Sequence, residues 1–326
     1  MKVKYIYRMY FNLYTLLIIF LLSGIGFSNQ IFQNNFIQPD TTQPVLKINL
    51  IGDTQHKSFW ELFLFSEDNS DKIPVLFNEI AARKPDFVIH LGDITSFGSS
   101  QRHWKMFDED SKILKSKNIS VYPVFGNHEY FGDNESCYKN FYKHFPSLSG
   151  QKWYSFIKQN TGFVMINSNF GELTQDESNA QKIWYNSTLD NMEKDTAIKF
   201  IIVCDHHPPF TNSTVVSADE EVEKYYAEPF YKYTKTAIFF SGHCHSYEKF
   251  IVDDKYFIVS GGGGGSRQKL DINKKTRKFD DKFAGGEIRF LNFCQLEIYE
   301  NKINLSVIKL NSDNTFSIAD EFTIIK

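Results

Sequence analysis

The sequence predicts an α/β fold whose chemistry lies at the ends of strands, on three observations. Short β-branched and aromatic runs recur from residue 45 onward and stop at polar residues that can bind or react. Segments with helical spacing of apolar residues separate several of these runs. Past residue 250 the pattern becomes strand-rich, which adds a second sheet packed on the first. Alternating strand and helix marks a sheet covered by helices, and such sheets bind ligands beyond the carboxyl ends of their strands.

In chain order, Lys2, Lys4 and Arg8 precede the apolar run Tyr14–Leu22, and small residues follow through Ser28. That is the order of a secretory signal. Residues 1–28 therefore read as a cleaved signal peptide that exports the rest, with an N-terminal signal anchor as the alternative. The dense run is shorter than the roughly 18 residues a membrane span needs. Residues 29–44, polar and ending in Pro44, read as a tether, and residues 45–326 as one domain.

Within that domain "VLKINLIG" ends at Asp53, "DFVIHLG" at Asp93, "SVYPVFG" at Asn127, "KFIIVCD" at His206 and "AIFFSG" at His243. Each run is short and apolar enough for a buried strand. Helices are expected over 74–84, 104–118 and 180–194, where apolar residues return at helical spacing. "KYFIVSG", "FLNFCQLEIYE" and "KINLSVIKL" supply the later strands, the last two joined by a hairpin turn at "YENK".

Composition narrows the function classes. Hydrophobic residues make up 42% and charged residues 23%, which is globular rather than disordered. Without residues 1–28 the chain carries 33 basic against 39 acidic residues, a net of −6. That balance gives no electrostatic footprint for nucleic acid or an anionic membrane. The four cysteines are far apart and lack C-x-x-C spacing, so neither a zinc ribbon nor a disulfide framework is implied.

The strand-end residues form a constellation: Asp53, Gln55, His56, Asp93, Asn127, His128, His206, His207, His243 and His245. Carboxylates, carboxamides and imidazoles suit Zn, Mn, Fe or Co rather than Cu(I) or Ca²⁺. They are too many for one ion, whereas two ions sharing a carboxylate would use most of them.

These residues resemble the metallophosphoesterase (calcineurin-like) superfamily in "GDTQH" (52–56), "GD" (92–93), "GNHE" (126–129), "HHPP" (206–209) and "GHCH" (242–245). The five motifs come in the family order, each after a strand-like run. "GHCHSYEK" and "YFIVSGGGGG" are most similar to the purple-acid-phosphatase-like branch. The resemblance implies a four-layer α/β/β/α sandwich with a dinuclear metal site at the carboxyl ends of strands. It implies two divalent or mixed-valence ions (Zn, Mn or Fe) and hydrolysis of a phosphate ester by a hydroxide the ions share. Asp53 and His245 would hold the first ion, Asp93 both, and Asn127, His206 and His243 the second. His128 would donate a proton or contact the phosphate, and Glu129 would orient His128 or support its turn. His207 is the alternate to His206.

Two positions depart from the family. Position 55 is Gln where the family places His, and His56 comes one residue late. Either Gln55 ligates through its carbonyl, which is preferred, or a bulge brings His56 in. Position 96 is Ser where purple acid phosphatases carry a Tyr ligand. The expected function is a phosphomonoesterase. A nucleotidase or phosphodiesterase, or a non-catalytic binding module on the same scaffold, is the alternative.

Other features carry less. His243 and His245 are one residue apart and project the same way from an extended segment, which turns Cys244 toward the core. The resemblance implies that Gly261–Gly265 lets backbone pass close to the site. Segment 267–282 has seven basic against three acidic residues and reads first as a solvated loop. The aromatic stretch 223–235 either walls the pocket, where it would suit a nucleobase, or packs on the core.

Overall fold

The computed structural model describes residues 42–57 and 67–326. The signal segment and the tether up to residue 41 lie outside them. Among the described residues no helix is long and apolar enough to cross a membrane.

Strands β1 (Leu46–Ile51), β2 (Phe87–His90) and β3 (Ser120–Pro123) are the first three apolar runs, side by side and parallel. Between them lie α1 (Ile73–Ala82), α2 (Gln101–Asp110) and α3 (Lys112–Ser116). The helix expected over 104–118 starts earlier and breaks at Ser111, whose hydroxyl bonds back to the Phe107 carbonyl at 2.7 Å. Such back-bonding competes with the helix ladder.

The second sheet opens with the hairpin β4 (Tyr154–Lys158) and β5 (Thr161–Met165), which follows helix α4 (Asn134–His144). Then come α5 (Gln175–Lys194), β6 (Phe200–Cys204), β7 (Thr236–Ser241), β8 (Tyr247–Val252) and β9 (Lys255–Ser260). The order is β4-β5-β6-β7-β9-β8, parallel from β5 to β9.

The late strands correct the expected layout. β10 (Asn292–Ile298), β11 (Lys302–Leu310) and β12 (Phe316–Ile325) extend the first sheet, antiparallel from β1 outward, in the order β12-β11-β10-β1-β2-β3. Only β9 of the expected late strands belongs to the other sheet. The first sheet thus joins the two ends of the domain, while the second is the consecutive run β4–β9.

The alternation of side chains across each strand builds four layers. Phe87 of β2 meets Phe156 and Phe163 of the second sheet edge-to-face, with centroids 5.7 and 5.5 Å apart. His90, on the opposite face of β2, packs on Phe107 of α2, and Phe107 packs on Phe77 of α1. In the second sheet Phe200 and Ile202 join the core shared with the first, whereas Ile201 and Val203 join Tyr185, Leu189 and Met192 of α5. The order is helices, sheet, sheet, helix.

The stretch 223–235 packs on the core. It opens with a π-helical turn, Glu223–Ala227, continued by the helix Glu228–Tyr231. Tyr226 and Phe230 are fully buried in the cluster under α5. All four cysteines are buried and unpaired.

Candidate metal centre

The parallel strands β1, β2, β3, β6 and β7 point their carboxyl ends to one place, where the edges of both sheets meet. The chain leaves β1 at Asp53 and β2 at Asp93, and the ladder continues past both strands: Asp53 N–H donates to Gly92 O and Thr54 N–H to Asp93 O, each at 3.0 Å. Asp53, Asp93 and His243 all take left-handed backbone, with φ of 61°, 52° and 65°. Few non-glycine residues do so, Asp and His more readily than most. Gly92 must remain Gly. Its φ is +86°, and a Cβ there would stand 2.6 Å from His206 Nδ1.

Glu129 ties these turns together. Its buried carboxylate accepts from Asp93 N and Gly126 N through one oxygen and from Ile94 N and Thr95 N through the other, at 2.8–3.2 Å. Of the two expected roles for Glu129, the turn support is the one its contacts match. Burial, followed by the nearby Asp93, pushes its carboxyl up to about 7.

The side chains gather in two groups. His206, His207 and His243 offer nitrogens within 4.8 Å of one another, and so do ligand atoms of Asp53, Asp93 and His245. Asn127 Oδ1 stands 3.0 Å from His206 Nε2, and His243 Nδ1 stands 3.2 Å from the same atom. Asp93 lies between the groups. Its Oδ1 is 3.4 Å from His206 Nε2, while its Oδ2 is 3.3 Å from Gln55 Nε2, which also reaches His245 Nε2 at 3.2 Å. Asp53 Oδ1 is 3.5 Å from His245 Nε2, and both Asp53 oxygens accept from the His243 N–H at 3.0 Å.

Carbonyls orient the rings. His206 Nδ1 is 2.8 Å from Leu91 O, His245 Nδ1 2.8 Å from Ser266 O, and His128 Nδ1 3.0 Å from Ser96 O. Each ring presents Nε2 to the cluster, the arrangement typical of imidazoles that ligate metals.

The electrostatics fit cations. Asp53 and Asp93 are at most 1% exposed, and among the described residues neither has a lysine or arginine ion-pair partner. Buried charges are ordinarily paired or bound to metal. Burial raises Asp53 well above the usual carboxylate range. Burial of Asp93 is outweighed by His206, His128 and His243, which hold it well below that range. Burial also opposes a proton on His206, but Asp93 and Asp53 push that imidazole up to about 10. A second sign is Gln55 Oε1, which is buried and has no hydrogen-bond partner. A buried amide oxygen without a donor, on a side chain that reaches Asp93 and His245, suits a cation ligand.

His56 stands apart from both groups. Its Nε2 is 2.5 Å from Asp110 of α2, so at this end of β1 it is Gln55 whose side chain reaches Asp93 and His245. His207 joins the second group, with its Nδ1 held 2.9 Å from Ser168 Oγ. Ser96, in the position of the missing Tyr, donates its hydroxyl to the His56 carbonyl. His128 Nε2 is 3.8 Å from Asp93 Oδ2 and faces a cleft of about 350 Å³ that both groups line.

Cys244 turns away, fully buried, with its sulfur 3.6 Å from Glu248. Gly261 allows the close approach expected of the glycine run, since a Cβ there would meet the Cys244 carbonyl at 2.2 Å and Asp53 Oδ2 at 2.7 Å. Sequence reasoning missed Ser168, whose hydroxyl accepts from the backbone N–H of both His206 and His207. No motif surrounds it, and its position is set by the end of β5 lying beside β6.

Comparison with known proteins adds the relatives. Residues 46–247 match the calcineurin-like phosphoesterase family. Purple acid phosphatase 1 of Ipomoea batatas is 22% identical over 241 residues, 69% of this chain and 48% of its own length. Among solved structures, a purple acid phosphatase from yellow lupin (Lupinus luteus) seeds superposes with a TM-score of 0.64 at 17% identity, covering 86% of this chain and 53% of that one. GAP50, the anchor in the inner membrane complex of Plasmodium, gives a TM-score of 0.64 at 16% identity and covers 86% and 89%. The chain thus spans about half the length of the purple acid phosphatases it matches.

Proposed function

From the premise that the chain belongs to the calcineurin-like phosphoesterase family, we propose that it is a metal-dependent phosphatase, an exported enzyme that hydrolyses phosphate monoesters. The observation that carries this reading is Asp93, grouped with Asp53 and His245, reaching His206 of the other group through Oδ1, while the Gln55 amide stands beside it.

In this reading Asp53, Gln55 and His245 hold one cation, Asn127, His206 and His243 the other, and Asp93 both. Two such cations, when bound, neutralise phosphoryl oxygens and acidify a water. The chain's own groups do the rest. His128 carries a proton on Nε2 at the cleft wall and gives it to the departing ester oxygen. The Ser96 carbonyl fixes the ring's orientation through Nδ1. Glu129 holds the Asp93 turn in register through four backbone N–H groups. His207 supports the second group from Ser168 and is the alternate ligand.

A second reading, a binding module without turnover, draws on the GAP50 likeness, since that protein is described as an anchor. Gln55 in place of His is its support at the site. The nucleotidase alternative cannot draw on Tyr226 and Phe230, which are buried in the core.

The test is turnover of p-nitrophenyl phosphate and bis-p-nitrophenyl phosphate by the full chain with Mn²⁺, Zn²⁺ or Fe²⁺, beside an Asp93→Asn variant. Metal-dependent turnover that favours the monoester and disappears in the variant is expected. Bound metal without turnover of either ester would favour the binding module.

A further inference from the structure

The cleft mouth sets exposed apolar side chains beside charged ones that are already paired. Of the large apolar side chains left exposed among the described residues, two line the cleft and two more follow from His128 by ring contacts. Val215 and Ile288, 54% and 49% exposed, line it directly. Phe131, 39% exposed, lays its ring 4.4 Å from that of His128, and Phe97, 41% exposed, meets Phe131 edge-on at 6.0 Å. The Val215 loop and the Ile288 segment are braced on the same stretch, by bridges from Ser213 to Leu270 and from Lys269 to Ile288. They are walls rather than loose tips.

The ionic groups of the rim offer little to a polar or multiply charged leaving group. Arg267 is bound to Glu67 at 2.7 Å, Lys269 to Glu287 at 2.9 Å and His56 to Asp110 at 2.5 Å. Lys57 lies within electrostatic reach of Asp68. A sugar phosphate would leave these apolar side chains in water, and a nucleobase would cover only the rings of Phe97 and Phe131. An apolar alcohol would cover those side chains and break nothing.

We propose, on the phosphatase reading above, that this cleft selects phosphate monoesters of apolar alcohols. The leaving group lies against Phe131, Phe97, Val215 and Ile288, with its ester oxygen toward His128. In the reaction the P–O bond to the alcohol breaks, and the oxygen of a water bonds to phosphorus. The alcohol departs with the proton from His128, leaving inorganic phosphate. No other reactant is needed.

A series of n-alkyl phosphates from ethyl to hexyl tests this, because apolar area grows while the reactivity of the ester bond stays nearly constant. With the full chain and its metals, kcat/KM is expected to rise about tenfold across the series, as partial burial of four methylenes requires. The rise should flatten when Phe97, Phe131, Val215 and Ile288 are all replaced by Ser. An Ile183→Ser control, at an exposed site on α5, should keep it. Turnover that is flat from ethyl to hexyl in the unaltered protein would overturn the inference and leave the phosphatase reading standing. A rise that survives the fourfold variant would overturn it too. No turnover of any ester would remove both.

Discussion

At the scale of single residues, the site is built on backbone that most side chains avoid. Left-handed conformations at Asp53, Asp93 and His243 cost of order 1–3 kcal/mol each and persist where the surroundings over-determine them. For Asp93 the determinant is Glu129. Glu129→Gln keeps the shape but turns one acceptor oxygen into an NH₂ that faces backbone donors. It should lower activity roughly 10–100-fold and reduce retained metal, as loss of a ligand's support does; steady-state kinetics with metal analysis checks both. His128→Ala should cost roughly 10²–10⁴ in kcat while metal content stays unchanged, the range expected for a lost proton donor. A metal-poor His128→Ala protein would instead mark His128 as a ligand. Glu248 gives a pH prediction away from the metals. Burial pushes its carboxyl up to about 7, although Thr211 and Asn212 donate to it. A carboxyl that binds its proton more tightly folded than unfolded stabilises the fold at low pH. That contribution fades as pH rises from the unfolded value through about 7, by roughly 3 kcal/mol at 1.36 kcal/mol per unit. Urea melts between pH 5 and 8 should show this fall, and Glu248→Gln should remove most of it.

At the scale of elements, two substitutions separate support of the site from support of the fold. Helix α5 starts with a capping box, in which Thr174 accepts from the Glu177 N–H and Glu177 reaches back to the Thr174 N–H. Thr174→Ala should cost about 1 kcal/mol of stability and leave kcat unchanged, because α5 covers the face of the sheet away from the shared core. Gly261→Ala should do the reverse. Its new Cβ would collide with the Cys244 carbonyl between His243 and His245, so metal retention should fall while the far-ultraviolet circular dichroism stays the same. The same elements show what could be read from sequence. The strand ends carrying Asp53, Asp93, Asn127, His206 and His243 were legible because each apolar run stops at a polar residue, after glycine in four of them and after Asp205 at His206. The sheet to which β10–β12 belong was not legible. Alternation tells which face of a strand is buried, but the partner of β10 is β1, more than two hundred residues away, and nothing local encodes that pairing. Gln55 against His56 was also open. Asp110, which takes up His56, lies on α2, and only the folded chain brings the two together.

At the scale of the whole molecule, the candidate centre joins the two sheets. Asp53, Asp93 and Asn127 follow strands of one, and His206, His243 and His245 follow strands of the other. Ions bound there would link the sheets at their open edge and would bind the folded chain alone. Each site filled at a hundredfold excess over its Kd should add about 2.7 kcal/mol. Chelation should therefore lower the melting temperature by several degrees, and Asp93→Asn should blunt that shift. The most direct measurement of the two-ion account is a calorimetric titration of Zn²⁺ or Mn²⁺ into chelator-stripped protein, with p-nitrophenyl phosphate turnover followed on the same samples. The account predicts close to two ions per chain, turnover that returns as the sites fill, and loss of both in Asp93→Asn. Full turnover in the stripped protein, or no saturable binding of either metal, would contradict it.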